Sequence, residues 1–77
     1  MDAKINRLLS ELLLIPAATI TDDLAMKDID VWDSLKHMEL IVSLEETFSI
    51  QLNFDEIVAM QNVREIKRVL RERRVAG

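Results

Sequence analysis

The sequence has 77 residues and a mass of 8.9 kDa, which leaves room for one small domain. Hydrophobic residues make up 49% of the chain and charged residues 31%, a balance typical of a protein that folds around a core. With no cysteines and one histidine, the chain has no disulfides, thiolate metal sites, cysteine nucleophile or histidine-rich metal site. A domain of this size buries only about 60% of its unfolded surface, which disfavours an enzyme with a large enclosed active site.

Charge is unevenly distributed along the chain, whose net charge is −4. Residues 1–60 contain 12 acidic and 4 basic residues, a balance of −8, whereas residues 61–77 contain 2 acidic and 6 basic residues, a balance of +4. An acidic body disfavours binding to nucleic acid and favours partners with basic patches. The longest apolar run, Leu12 to Ala18, is too short to span a bilayer. With no targeting segment recognised, we expect a cytoplasmic protein.

Helices are the predicted secondary structure, because one glycine and one proline are too few for the turns of a β-sandwich or barrel. Apolar residues at helical spacing predict a first helix over residues 3–15, stopped by Pro16, with Leu14 and Ile15 extending its buried end. Residues 16–33 lack this periodicity and are predicted to form a long loop. The loop residues expected to pack it against the core are Ile20, Leu24, Met26, Ile29 and Val31.

Three further helices are predicted in the second half of the chain. Residues 34–48 have apolar positions over more than half of the helix circumference, which is wider than a surface helix normally buries. Asn53 followed by Glu56 predicts a capped short helix over 54–60, and Asn62 followed by Glu65 predicts one over 63–73. The expected fold is therefore all-α: a single domain over residues 1–77, a small four-helix bundle with three main helices, one short helix and a long first loop.

Conventional catalytic groups are absent from the pattern. His37 has no cysteine to activate, and no third group is evident that would orient it towards Ser34. We therefore predict His37 to be a partly exposed helix residue and the protein not to be an enzyme. Asp28, Asp30 and Asp33 lack the glycine and the distal glutamate of a calcium-binding loop, so they are interpreted as solvated turn residues, and no metal site is predicted.

Ser34 is singled out by its position at the start of the most apolar predicted helix. The unpaired N–H groups and the helix dipole at such a terminus stabilise a phosphate. The simpler interpretation is that Asp33 or Ser34 only caps the helix. Position alone favours the cap.

A longer pattern changes this balance. Residues 31–50 contain Asp33-Ser34-Leu35, Glu39-Leu40, Leu44-Glu45-Glu46 and Phe48 in one register. This string resembles the attachment region of acyl carrier proteins. The resemblance implies that Ser34 is esterified with phosphopantetheine, with Asp33 in a supporting role, and that the thiol of this arm carries an acyl group as a thioester. Val31 and Lys36 depart from the usual fatty-acid carriers, as does the basic last helix, and indicate a specialised, free-standing member.

Two sets of apolar residues gain a possible role from this resemblance. Leu35, Met38 and Val42, flanked by Glu39, Glu45 and Glu46, are predicted to form an apolar patch with an acidic rim for enzymes with basic patches. The candidates for lining an acyl cavity, which core packing explains equally well, are Leu40, Leu44, Phe48, Ile57 and Met60. The implied partners are a phosphopantetheinyl transferase and acyl-loading and acyl-using enzymes, and we expect a monomer.

Two alternatives remain open. The first keeps the phosphopantetheine on Ser34 but carries an aminoacyl or peptidyl group, which the sequence barely separates from an acyl group because the cargo is set largely by partner enzymes. A more distant alternative is a helical module that binds nucleic acid or an acidic protein through its basic last helix. The basic residues of that alternative are Arg64, Lys67, Arg68, Arg71, Arg73 and Arg74. Such residues also favour a helix C-terminus for electrostatic reasons alone.

Overall fold

The computed structural model describes residues 2–73, and in this range the chain forms four α-helices and no strand. The helices are α1 (Asp2–Leu13), α2 (Ser34–Phe48), α3 (Phe54–Ala59) and α4 (Val63–Glu72). Short 3-10 turns at Ala17–Thr19 and Met26–Asp28 lie within the α1–α2 loop. The predicted all-α bundle of three main helices and one short helix is confirmed, and the domain bounds stay a prediction.

One hydrophobic core joins the four helices and the long loop. Helices α1, α2 and α4 contribute buried residues at the spacing that the sequence predicts, and α3 packs against them through the partly buried Ile57. Burial of such side chains is the main stabilising contribution to a domain of this size. The buried apolar residues are Ile5, Leu9, Leu13, Ile20, Trp32, Leu40, Ile41, Leu44, Leu52, Met60, Val63, Ile66, Val69 and Leu70.

The end of α1 differs from the prediction. The helix ends at Leu13 because Leu14 adopts a left-handed conformation, with φ of 59°, and the Ile15 N–H donates to the Ser10 carbonyl at 3.2 Å. This is the hydrogen bond of a Schellman motif, which reverses the chain at a helix end. The prediction of a helix to residue 15 with a buried end was therefore wrong, and Leu14 is 79% exposed.

The other helix ends agree with the sequence to within a residue. The Asn53 side chain accepts from the Glu56 N–H while Glu56 accepts from the Asn53 N–H, which is the predicted capping box of α3. Asn62 caps α4 by accepting from the Glu65 N–H at 2.7 Å. These caps set where α3 and α4 begin.

The long loop is fastened to the start of α4 by backbone hydrogen bonds. The Met26 N–H donates to Gln61 and the Val63 N–H donates to Leu24, both within 3 Å. Ile20 is buried and the middle apolar residues of the loop pack against the core, as expected. Val31 is exposed, contrary to the prediction, and the neighbouring Trp32 is buried instead. These contacts fix the position of the loop that leads into α2.

Candidate functional site

Ser34 is the first residue of α2, and its side chain is exposed. The preceding residue, Asp33, caps the helix: its carboxylate accepts a hydrogen bond from the Lys36 N–H at 2.9 Å. One aspartate oxygen thus satisfies a helix N–H that a serine hydroxyl often satisfies. The cap interpretation holds for Asp33, and the Ser34 hydroxyl is left facing solvent beside the helix N-terminus.

This position suits a phosphodiester on Ser34. The first N–H groups of a helix have no partner within the helix, and the dipole places partial positive charge there. A phosphate on the hydroxyl would lie close to both. The residues present therefore fit a phosphate-linked group at Ser34.

Trp32 and His37 lie on either side of this serine and contact each other. Their ring planes are inclined by 27° with centroids 6.2 Å apart, and the Trp32 Nε1–H donates to His37 Nδ1 at 3.0 Å. His37 Nε2 lies 2.9 Å from the carbonyl oxygen of Ile57 in α3. The prediction of a partly exposed His37 was wrong, because hydrogen bonds to both ring nitrogens allow the imidazole to be buried at 8% exposure.

Sequence reasoning missed Trp32, although a signal was present. Trp32 precedes the cap residue and His37 is the fourth residue of the helix, the two positions at which side chains pack together in a hydrophobic staple. With Asp33 as the cap, the two staple positions fall on Trp32 and His37, which predicts contact between their rings.

An apolar groove begins next to Ser34. Leu35, Met38 and Val42 are all about half or more exposed along α2, and Leu12 of α1 completes the floor of a groove of about 480 Å³. The structure thus brings together the three apolar residues predicted for partner contact.

The three predicted rim carboxylates have different surroundings. Glu39 lines the groove and its carboxylate lies 2.9 Å from the Lys36 ammonium group. Glu45 is partly buried and accepts from the Leu52 N–H at 2.8 Å, so it also holds the α2–α3 connection. Glu46 is exposed on the last turns of the helix. The free acidic character of this face therefore depends most on Glu46.

The predicted acyl-cavity residues lie on the inner side of the helices. Leu40, Leu44 and Met60 are buried core residues, and Phe48 and Ile57 are partly buried against them. None of the five lines the surface groove. Their role in holding an acyl chain stays a prediction.

The basic residues of α4 are largely paired with acidic residues of the same chain. The pairs are Arg64 with Asp23, Lys67 with Asp2 and Asp22, Arg68 with Glu65 and Glu72, and Arg73 with Glu56. The Arg68 guanidinium donates hydrogen bonds to Glu65 and Glu72, which raise the pKa of Arg68 against a smaller opposing effect of burial. Arg74 lies outside the described residues.

The loop carboxylates do not assemble into a metal site within residues 2–73, where no group of three metal-ligating side chains occurs. Asp33 is occupied as a helix cap, and Asp28 accepts from the Ala25 N–H at 3.3 Å.

Among the helices of residues 2–73, none has the length and apolar character needed to cross a bilayer.

Comparison with known proteins assigns the chain to a family. Residues 3–70 match the family model described as "Phosphopantetheine attachment site", so the chain belongs to the phosphopantetheine-binding carrier family. The protein is a non-catalytic carrier, and its prosthetic group is phosphopantetheine. Within this class it is similar to the acyl carrier protein of Desulforapulum autotrophicum (strain ATCC 43914 / DSM 3382 / VKM B-1955 / HRM2), with 31% identity over 80 residues that cover 95% of this chain and 96% of the relative.

Proposed function

We propose that Ser34 is the residue that carries phosphopantetheine, and that the protein transports acyl groups between enzymes of fatty-acid, polyketide or another specialised acyl biosynthesis. The observation that carries this proposal is that the helix cap and the exposed hydroxyl at the start of α2 belong to two different residues. Asp33 caps the helix, which leaves Ser34 exposed within the Asp-Ser-Leu sequence of the attachment pattern. Its hydroxyl is accessible to a transferase.

The prosthetic group supplies a thiol, which this chain does not possess, and a thiol forms the thioester that carriers of this family present. The protein itself contributes the hydroxyl of Ser34 and the electrostatic environment of the α2 N-terminus, which stabilises the linking phosphate. The chain needs no catalytic group of its own, because its partners provide the chemistry.

The apolar groove is the proposed contact surface for those partners. Leu35, Met38 and Val42 offer apolar area that is exposed in the free protein, and Glu39 and Glu46 add acidic groups beside it. Apolar contact would supply most of the affinity, whereas the acidic groups would mainly accelerate association with basic enzymes. Such a surface suits brief successive encounters.

An acyl cargo is favoured over an aminoacyl or peptidyl cargo by the similarity to an acyl carrier protein over nearly the whole of both chains. The core residues Leu40, Leu44 and Met60 lie in the same helix bundle and are candidates for shielding an acyl chain. Incubation of the phosphopantetheine-bearing protein with acyl-activating and aminoacyl-activating enzymes, followed by intact mass measurement, separates the two cargo classes.

The attachment itself is tested by mass spectrometry. Incubation with coenzyme A and a broad-specificity phosphopantetheinyl transferase is expected to add one phosphopantetheine group to the wild-type protein and none to Ser34→Ala. Ser43→Ala serves as the matched control, because Ser43 lies on the same helix and lines the same groove. Failure of several transferases to modify the wild type, or modification of Ser34→Ala, would contradict the assignment.

A further inference from the structure

The two rings on either side of Ser34 have no part in the attachment chemistry, yet they occupy the positions that control how a chain approaches a helix. Trp32 stands before the cap and His37 is the fourth helical residue. An apolar pair at these positions fixes the angle between helix and preceding chain. Here the two rings are also joined edge to edge by a directional hydrogen bond, so the pair restrains direction as well as distance.

The contacts of His37 specify its tautomer. The indole Nε1–H of Trp32 is only a donor, so His37 Nδ1 must accept and cannot carry a proton. The proton of the neutral ring is then on Nε2, which donates to the Ile57 carbonyl oxygen 2.9 Å away. A continuous line of donors and acceptors therefore runs from the loop, through α2, to α3.

We propose that Trp32, His37 and the Ile57 carbonyl form a positioning relay that holds the start of α2 against α3 and so sets the orientation in which Ser34 is offered to enzymes. This inference rests on the proposed role of Ser34 as the attachment residue. Both rings are buried, so removal of one member leaves a polar atom of the other without a partner. Trp32 and His37 act through Ser34 and touch no reacting atom.

The first test is the tautomer of His37 in the wild-type protein. The chain has one histidine and one tryptophan, so long-range proton–nitrogen NMR correlations of both rings are free of overlap. We expect the proton on Nε2 and a slowly exchanging indole N–H on Trp32. A proton on Nδ1, or a rapidly exchanging indole N–H, would overturn the relay, and this measurement requires no variant to fold.

The second test removes the donor but keeps an aromatic ring. Trp32→Phe is expected to lower the hydrogen-exchange protection of the His37 and Met60 amides roughly tenfold, because it leaves Nδ1 buried without a donor. The kcat/KM for phosphopantetheine transfer should fall by a similar factor, roughly tenfold, if orientation of Ser34 depends on the relay. Val69→Ala, a core change in α4, is the control for general loss of stability.

The control decides between positioning and stability. If Val69→Ala lowers kcat/KM as much as Trp32→Phe at equal fraction folded, or if Trp32→Phe is modified at the wild-type rate, the relay is wrong. His37→Asn retains an acceptor for Trp32 and should recover more of the transfer rate than His37→Leu, which has none. Equal rates for these two variants would also contradict it.

Failure of this proposal is distinguishable from failure of the attachment assignment. If Ser34 is not the attachment residue, either the wild-type protein gains no mass or Ser34→Ala is modified as well, but the tautomer and exchange measurements still report the relay. If only the relay is wrong, the wild type is modified normally and the variants show no selective loss.

Discussion

Asp33 and Ser34 are neighbours at the start of α2, but their side chains have different surroundings. Asp33 caps α2, and Ser34 occupies the first helical position with its hydroxyl in solvent. An aspartate is well suited to the first task because its charge also interacts favourably with the helix dipole. The sequence predicted a cap or an attachment site here; the structure assigns the cap to Asp33 and leaves Ser34 exposed for the proposed attachment.

Substitution of Asp33 separates its cap from its charge. Asp33→Ala should lower the free energy of unfolding by about 1 kcal/mol, because the Lys36 N–H loses its acceptor. Asp33→Asn, which has an equivalent cap oxygen, should preserve stability. Urea unfolding followed by circular dichroism measures both.

The rate of phosphopantetheine transfer to the two variants then reports the supporting role of Asp33. A normal rate for Asp33→Asn would restrict that role to capping, whereas a slow rate with full stability would assign a function to the negative charge. An Asp33→Ala protein as stable as the wild type would contradict the cap.

At the scale of elements, α2 presents a face that the other helices leave uncovered. Its apolar circumference is wider than the rest of the bundle buries, as the sequence indicated, and the excess becomes the groove that includes Met38 and Val42. The short α3 shows a similar excess, since Phe54 is 77% exposed. Exposed apolar side chains therefore occur on both α2 and α3.

Two valines provide a comparison between these helices. Val42 on α2 is 48% exposed and Val58 on α3 is 47% exposed, so Asp in either place removes the same exposed apolar group and adds the same charge. Val42→Asp should lower kcat/KM with the transferase by about tenfold or more, as loss of a central apolar contact does. Val58→Asp should leave it near the wild-type value. Equal losses would contradict the groove as the contact surface.

The α3 helix is also held by an ion pair at its start. Arg73 at the end of α4 forms two hydrogen bonds with the Glu56 carboxylate, which lower the pKa of Glu56 below its ordinary value of 4.5. Burial opposes this shift, and the Asn53 N–H adds to it. Because the folded-state pKa is the lower one, the pair stabilises the fold above about pH 4.5 and loses this contribution as the pH falls through the lowered pKa.

Removal of the charge should flatten this acid dependence. Glu56→Gln keeps an oxygen for the Asn53 cap but cannot titrate, so its unfolding free energy should change less than that of the wild type between about pH 6 and pH 3. Arg73→Gln should flatten the acid dependence less, because Glu56 still titrates and the Asn53 N–H still lowers its pKa. Thermal unfolding at a series of pH values measures it, and an unchanged slope for both variants would contradict the pair.

At the scale of the whole molecule, ion pairs within the fold join the basic last helix to the acidic part of the chain. The basic residues of α4 face acidic residues of α1, α3 and the long loop, so the positive segment neutralises part of the acidic body. Lys67, which contacts Asp22 and Asp2, is nearly buried between them. A basic helix that looks available in the sequence is therefore largely engaged in the fold.

This arrangement predicts that nucleic acid is not a partner. We expect no binding to a labelled DNA duplex by fluorescence anisotropy at 150 mM salt. Arg and Lys side chains that are already paired with carboxylates cannot release counterions from the phosphate backbone as unpaired Arg and Lys side chains do. Arg71→Gln should behave identically. Submicromolar binding that weakens steeply with salt and is reduced in Arg71→Gln would restore the basic-helix alternative.

Sequence alone determined the features that depend on local chemistry. Helix periodicity, the Asn53 and Asn62 caps and the Asp-Ser-Leu pattern each lie within a few residues of chain, so the helices and Ser34 could be recognised directly. The end of α1 was missed because a left-handed leucine is unfavourable by itself, and the hydrogen bonds between Ile15 and Ser10 offset its cost.

Tertiary structure alone decided the rest. A polar ring such as His37 is favoured in the interior only when its nitrogens find partners, and one of them is the Ile57 carbonyl oxygen, 20 residues along the chain. The pairing of α4 with the acidic loop likewise joins residues more than 40 positions apart, as in Arg64 with Asp23. Burial and charge pairing at such separations depend on how the helices pack, which no local pattern of residues specifies.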